Sequence, residues 1–247
     1  MLNIHQVPLM ENYLTNNGCR LWTVSNGSGI PVIMCNGGPG CDDYLGDVSS
    51  MIEDHCQVVR FEPRGCGRSD YDGQYELETT LRDIEFIRDE YGFARALLIG
   101  HSFGPDVALA YSLAYENRTL GIIGISGGRI VNDRQWSAIY RKNLEMVGEV
   151  NAKEYIADPL VNETGVASWR RFIQQPDLLG KISKIKFPVT YISAGADIRP
   201  NWPTQQLAGL IPNGEYREIP GATHNIWLTH ADELRQCLRS VTKSFLL

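Results

Sequence analysis

The sequence lacks the features that mark several large classes of protein. No uninterrupted apolar run approaches the roughly 18 residues that a membrane-spanning helix needs, and the first residues carry neither a basic end nor a long apolar stretch. We therefore expect a cytoplasmic protein that does not bind a membrane. A net charge of −6 argues against a broad nucleic-acid surface. The oligomeric state is not indicated by the sequence.

The sequence also offers no recognisable site for a metal or an organic cofactor. It contains no HExxH pattern, no cluster of Cys and His, and no GxGxxG fingerprint at a junction of strand and helix. Its six cysteines lie at positions 19, 35, 41, 56, 66 and 237 without CxxC spacing. This scatter favours reduced thiols over disulfides or zinc. We expect neither cofactor nor metal.

What the sequence does contain is an alternation of strand-like and helix-like segments. The strand-like runs are 20–24, 31–35, 57–61, 96–99, 122–125, 187–193 and 215–219, and the predicted helices are 78–91, 103–115 and 231–245. A chain of 247 residues is long enough to bury a large core without disulfides. The alternation predicts an α/β protein with a mostly parallel central sheet and helices on both faces.

The alternation stops between residues 129 and 185. This segment is rather polar and helix-like, and it contains no convincing central strand. We therefore predict a core formed by residues 1–128 and 186–247, with residues 129–185 inserted as a short helical cap. Residues 129–185 are called the cap segment below.

The strongest local signal is Gly100-His101-Ser102-Phe103-Gly104, between a buried strand and a predicted helix. Glycines two positions before and after the serine permit the sharp turn of a nucleophile elbow. The helix that follows directs its free N–H groups at the site and favours developing negative charge there. We predict that Ser102 is a nucleophile.

A serine nucleophile requires a base, and the base requires a carboxylate that holds its tautomer. The expected chain order is serine, acid, histidine. His224 lies in a loop of small residues before the last helix, and Asp197 directly follows the strand 189–193. Loops at the carboxyl ends of parallel strands converge, so we predict His224 as the base and Asp197 as the acid. Asp106, one turn into the elbow helix, is expected only to cap or solvate that helix.

Acyl transfer places negative charge on the former carbonyl oxygen, and backbone N–H groups can stabilise that charge. One predicted donor is the N–H of Phe103, directly after the nucleophile. The other is expected in Asn36-Gly37-Gly38-Pro39-Gly40, where paired glycines let the backbone approach a substrate closely. Gly38 is the predicted donor, with Gly37 as the alternative.

These motifs resemble those of the proline iminopeptidases and their close α/β-hydrolase relatives. That family has His-Gly-Gly-Pro-Gly where this chain has Asn36-Gly37-Gly38-Pro39-Gly40, and Asp-Gln-Arg-Gly-x-Gly-x-Ser where this chain has Glu62-Pro63-Arg64-Gly65-Cys66-Gly67-Arg68-Ser69. The resemblance covers residues 19–126 and 187–247. It implies an α/β-hydrolase fold and a hydrolase of small molecules or short peptides. The activity implied is removal of N-terminal proline, or cleavage of small esters and amides.

The resemblance also implies how a substrate's ammonium group would be held, because iminopeptidases use cap carboxylates for it. The candidates here are Glu145, Glu149, Glu154 and Glu163. The chain departs from the family at Asn36, at Glu62-Pro63 and in its shorter cap. We favour an iminopeptidase-like aminopeptidase and keep three alternatives. These are a carboxylesterase or lactonase with the same triad, a low-turnover binding or signalling module, and a transferase or cofactor-free lyase.

Overall fold

The computed structural model of the protein describes residues 10–130, 133–149 and 156–246. Within these ranges the chain forms one eight-stranded sheet, with the order β1-β2-β4-β3-β5-β6-β7-β8. The strands are β1 (Met10–Asn16), β2 (Cys19–Gly27), β3 (Ile30–Cys35), β4 (Cys56–Phe61), β5 (Ala96–His101), β6 (Thr119–Ile125), β7 (Val189–Ala194) and β8 (Gly214–Ile219). β2 pairs antiparallel with β1 and β4, and the remaining pairs are parallel. The predicted mostly parallel sheet is confirmed.

Helices cover both faces of this sheet. They are α1 (Gly46–Ser49), α2 (Leu77–Glu90), α3 (Gly104–Ala114), α4 (Arg134–Val147), α5 (Pro159–Phe172), α6 (Leu178–Ile182), α7 (Trp202–Leu210), α8 (Ile226–Thr229) and α9 (Ala231–Lys243). Buried residues of α2, α3, α5, α6 and α7 belong to one apolar cluster, and those of α1, α8 and α9 to another. In the part of the chain that the structure describes, no helix is long and apolar enough to cross a membrane.

The central strands are apolar because both of their faces are covered. Every residue of β5 and β7 is buried. Neighbouring residues point to opposite faces, so that Ile33 and Leu98 join the cluster with α2 and α3, whereas Val32 and Leu97 join the cluster with α9. Continuous apolar runs of this kind are typical of parallel strands buried on both sides.

The helices of the cap segment lie between β6 and β7 in the chain, and two of them rest on loops at the carboxyl edge of the sheet. In α4, Trp136 Nε1 donates to the carbonyl of Pro200 at 3.0 Å, and Asn143 Nδ2 donates to that of Ile198 at 2.9 Å. In α5, Asn162 Nδ2 donates to the carbonyl of Pro39 at 2.9 Å. The helical cap that the sequence predicted is present, and its bounds at 129 and 185 stay a prediction.

All six cysteines are free thiols, and five of them are buried. Burial raises the pKa of Cys35 to about 12 and that of Cys41 to about 11. Cys237, on α9, is the partly exposed one.

Candidate active site

Ser102 lies in the turn between β5 and α3. Its backbone φ is 60°, in the left-handed region, and its N–H donates to the carbonyl of Ile125 at 2.9 Å. A Cβ atom on Gly100 would lie 2.2 Å from the carbonyl carbon of Gly104, and one on Gly104 would lie 2.1 Å from the carbonyl oxygen of Cys35. The prediction that both flanking positions must lack a side chain is therefore confirmed. The turn leaves the Ser102 side chain partly exposed at the carboxyl edge of the sheet.

His224 and Asp197, which are 27 residues apart in the chain, form a hydrogen bond of 2.6 Å between Nδ1 and Oδ2. The second carboxylate oxygen of Asp197 accepts from the backbone N–H of Arg199 at 3.0 Å and from its Nη1 at 3.1 Å. Burial alone would raise the pKa of Asp197, but the His224 hydrogen bond and the Arg199 charge outweigh it and lower the pKa overall. An ionised Asp197 holds a proton on Nδ1 of His224, which leaves Nε2 available as a base.

His224 lies beside the elbow. Its ring centroid is 4.8 Å from that of His101, the residue before Ser102. Within the described residues the Ser102 hydroxyl makes no hydrogen bond with the His224 ring. Such bonds are often long in a free enzyme and shorten when substrate binds.

A chain of hydrogen bonds connects the glycine loop to the loop of His224. Tyr44 Oη accepts from the N–H of Gly37 at 2.7 Å and lies 2.8 Å from Nδ1 of His101, while Nε2 of His101 lies 3.1 Å from the carbonyl oxygen of His224. Burial holds the pKa of His101 well below its usual range, so the ring is neutral and carries one proton. A carbonyl only accepts, so that proton is on Nε2, and the Tyr44 hydroxyl donates to Nδ1.

These hydrogen bonds distinguish between Gly38 and Gly37, the two candidates for the second oxyanion donor. The N–H of Gly37 is already bonded to Tyr44, whereas the N–H groups of Gly38 and Phe103 donate to no described group. Both Gly38 and Phe103 line the cavity next to Ser102. Asn36, which stands where the resembling family has His, donates from Nδ2 to the carbonyl of Phe61 at 3.1 Å and so fixes the start of the loop.

Ser102 opens into a cavity of about 230 Å³ at the carboxyl edge of the sheet. The cavity brings together four residues that the sequence predicted for the site: Ser102, Asp197, Gly38 and Phe103. Further side chains of the lining that carry charge or a large ring are Asp106, Arg129, Trp136 and Arg199.

The cap glutamates do not line this cavity in the described part of the chain. Glu145 and Glu163 are exposed. Glu149 forms an ion pair with Arg199. Glu154 lies outside the described residues.

Asp106 differs from its expected role. Its side chain is buried rather than solvated, and its Oδ1 accepts the backbone N–H of Arg129 at 2.7 Å. Burial raises the pKa of this carboxyl to about 7. The expectation that it caps or solvates the helix is wrong, because the residue faces the cavity and the loop after β6.

The second motif loop, residues 62–69, is held by ion pairs, of which the carboxylates of Asp83 and Glu62 are buried. Arg64 Nε donates to Asp83 at 2.7 Å, with both side chains buried. Glu62 accepts from Arg68 Nη2 at 2.6 Å, and the Arg68 guanidinium lies 3.2 Å from the Trp22 ring centroid. These contacts hold the glycine-containing turn of residues 62–69 in place, and the loop therefore has a structural role.

The sequence argument missed four residues that shape the site. Two of them are His101, inside the elbow motif, and Tyr44, and nothing in the sequence marks Tyr44 as the partner of His101. Arg129 follows Gly127-Gly128, the glycine pair just after β6, and Arg199 lies two positions after Asp197. The rule that loops at strand carboxyl ends converge would have pointed to both arginines.

Comparison with known proteins places the chain in a family. A family model described as alpha/beta hydrolase fold matches residues 30–164, more than half of the chain. A cis-3-alkyl-4-alkyloxetan-2-one decarboxylase of Shewanella oneidensis is 27% identical over 49% of this chain and 40% of its own length. A proline iminopeptidase of Saccharolobus solfataricus is 33% identical over 41% of this chain and 34% of its own length.

The chain thus matches well under two thirds of the length of these curated relatives. Among solved structures, a thermophilic esterase from Thermogutta terrifontis superposes with a TM-score of 0.75 at 19% identity, covering 96% of this chain and 98% of the esterase. The family match, the parallel sheet and the strand–turn–helix geometry at Ser102 agree, and the chain belongs to the α/β-hydrolase family.

Proposed function

We propose that this protein is a serine hydrolase that cleaves a small ester through an acyl-enzyme intermediate. The observation that carries the proposal is the 2.6 Å His224–Asp197 hydrogen bond next to an elbow serine that opens into a cavity. The backbone N–H groups of Gly38 and Phe103, which have no acceptor in the part of the chain that the structure describes, lie at the same cavity and support it. The proline iminopeptidase that is 33% identical to part of this chain is also a hydrolase, in keeping with the proposal.

In the first step Ser102 Oγ attacks the carbonyl carbon of the ester while Nε2 of His224 takes the hydroxyl proton. The carbonyl oxygen becomes an oxyanion, which accepts from Gly38 and Phe103. Asp197 stabilises the imidazolium that forms. When the tetrahedral intermediate collapses, the bond to the alcohol breaks and His224 gives its proton to the leaving oxygen.

In the second step a water molecule replaces the alcohol. His224 removes a proton from this water, the hydroxyl attacks the acyl carbon, and the bond to Ser102 Oγ breaks as that oxygen regains the proton. The products are a carboxylic acid and an alcohol. The Tyr44–His101 chain holds the glycine loop and the base loop in register throughout both steps.

The cavity disfavours the aminopeptidase that the sequence favoured. An aminopeptidase needs a carboxylate for the substrate's ammonium group, and the described cap glutamates are exposed or paired with Arg199. Two arginines line the cavity instead. Amide cleavage remains the second candidate because a proline iminopeptidase is a relative at 33% identity.

The test combines labelling with turnover. A fluorophosphonate should label the parent, and Ser102→Ala should lose the label and at least about a thousandfold of kcat. Ser112→Ala is the matched control, because Ser112 is a buried serine of α3 without a hydrogen-bond partner among the described residues. Turnover by Ser102→Ala at the parent's rate would refute the nucleophile.

A substrate panel then decides between the two candidates. We expect short-chain esters to be cleaved faster than prolyl and alanyl arylamides. Prolyl arylamides cleaved with the higher kcat/KM would establish the aminopeptidase instead.

A further inference from the structure

We propose that the substrate carries a carboxylate group, which Arg129 binds inside the cavity. This inference rests on the proposed serine hydrolase and names its substrate class.

The guanidinium of Arg129 is held by an aromatic ring and not by an acceptor. Its central carbon lies 3.6 Å from the centroid of the Trp136 ring, and both residues line the cavity. Within the described ranges this guanidinium donates no hydrogen bond and enters no ion pair. A guanidinium stacked on a ring still presents the donors at its edge, whose fork geometry matches a carboxylate.

Arg199, the other arginine of the lining, shows the opposite arrangement. Its guanidinium bonds to Asp197 at 3.1 Å and also to Glu149. Burial would lower the pKa of Arg199, but these carboxylates outweigh it and raise the pKa overall. Burial lowers the pKa of Arg129, and the nearby Asp106 offsets this only in part. A half-buried cation that pairs with no anion among the described residues is stabilised by a ligand that brings one.

Asp106 does not fill that role. Its carboxyl receives the backbone N–H of Arg129 and makes no hydrogen bond with the guanidinium. Burial raises the pKa of Asp106 to about 7, so this carboxyl is partly protonated at neutral pH. The cavity therefore attracts an anion more strongly than a free ammonium group.

Because Arg129 and Ser102 line one cavity, the carboxylate and the scissile ester belong to the same small molecule. A half-ester of a short dicarboxylic acid has this chemistry, with the carboxylate in the acyl part. An ester formed at the hydroxyl group of a hydroxy acid has the carboxylate in the alcohol part.

The turnover experiment compares pairs of esters in which one member has a carboxylate where the other has a neutral methyl ester. Monomethyl and dimethyl glutarate test the acyl side, and 4-acetoxybenzoate and its methyl ester test the alcohol side. In at least one pair, kcat/KM of the parent should be higher for the charged member by about tenfold or more, the usual contribution of a hydrogen bond to a charged group. Arg129→Gln should reduce the charged-to-neutral ratio by about 10- to 100-fold.

Arg134→Gln is the matched control. Arg134 is exposed at the start of α4, and its substitution removes the same charge five positions away. This variant should keep the ratio of the parent. A ratio near one in both pairs, or a ratio that falls equally in both variants, would refute the proposal.

A binding measurement separates this proposal from the proposed function. Glutarate should bind to the Ser102→Ala protein in calorimetry, and adding Arg129→Gln should weaken that binding at least about tenfold. This result does not depend on turnover, so it holds even if Ser102→Ala remains active and the nucleophile is refuted. Equal affinity for glutarate with and without Arg129, or no saturable binding in either protein, would overturn the carboxylate site.

Discussion

Removing one hydroxyl group, with Tyr44→Phe, tests the hydrogen-bond chain behind the site. Tyr44 is 6% exposed, and its hydroxyl receives the N–H of Gly37 and donates to Nδ1 of His101. Phe keeps the ring and its stacking on Trp227, with a centroid distance of 6.2 Å. The substitution therefore leaves one buried donor and one buried acceptor unpaired, with little change in packing.

The expected loss of stability follows from those two groups. A buried polar group without a partner costs about 1–3 kcal/mol. Two of them should lower the free energy of unfolding by at least about 2 kcal/mol. For a chain of 247 residues this corresponds to a decrease in Tm of about 4–8 °C. We also expect a lower kcat, because the Gly37–Gly38 backbone and the His224 loop lose their shared support.

Calorimetry of the parent and two variants is the assay, and Tyr191→Phe is the control. Tyr191 is fully buried, and its hydroxyl has no hydrogen-bond partner among the described residues. Removing that hydroxyl should leave Tm unchanged or raise it. The prediction is wrong if Tyr44→Phe has the same Tm as the parent, or if both variants have their Tm lowered by the same amount. In either case the hydrogen bonds of the Tyr44 hydroxyl do not stabilise the protein.

Three further predictions concern substitutions at single positions. The pKa of Asp106 is raised to about 7, so its contribution to stability is present at low pH and lost as pH rises through that value. Tm should therefore fall between pH 5 and 8 in the parent, and Asp106→Asn should remove up to about 3 kcal/mol of this dependence; an unchanged slope would show that Asp106 titrates normally. Asp197→Asn should lower kcat by at least about a hundredfold, yet less than Ser102→Ala, because His224 can still visit the productive tautomer; steady-state rates equal to the parent's would move the acid to another residue. Gly104→Ala should cost more than about 4 kcal/mol or yield no soluble protein, since the new Cβ meets the Cys35 carbonyl; a variant with the parent's melting curve would contradict the elbow geometry.

Much of the sheet could be predicted because a parallel strand that is buried on both faces is a continuous apolar run in the sequence. The apolar run at 96–99 became β5 (Ala96–His101), and the predicted helix 78–91 became α2 (Leu77–Glu90). Strand β1 was missed because Met10–Asn16 is too polar to read as a buried strand. The sequence signal for this strand is the dipeptide Asn17-Gly18, which is typical of a two-residue hairpin turn. In the structure these residues have φ values of 49° and 86°, as such a turn requires.

The candidate site could be proposed from the sequence only where a motif fixes the backbone. Ser102 and Gly38 follow from glycine spacing, and His224 and Asp197 follow from chain order. The pairing of Glu149 with Arg199 depends on how α4 lies against the loop after β7, which no local pattern encodes. The same holds for the stacking of Arg129 on Trp136, so the sequence could place both arginines near the site but could not show which of them is paired with a carboxylate.

Because five of the six thiols are buried, the reactivity of the thiols can be used to measure unfolding of the protein. Thiolates are the reactive form, and burial both blocks access and keeps these sulfurs protonated. A thiol-specific colorimetric reagent should titrate about one equivalent, at Cys237, in the native protein and all six after denaturation. The number of reacting thiols thus measures the folded fraction of any active-site variant without requiring a substrate. Such a count distinguishes a catalytic defect from a folding defect in every substitution proposed above.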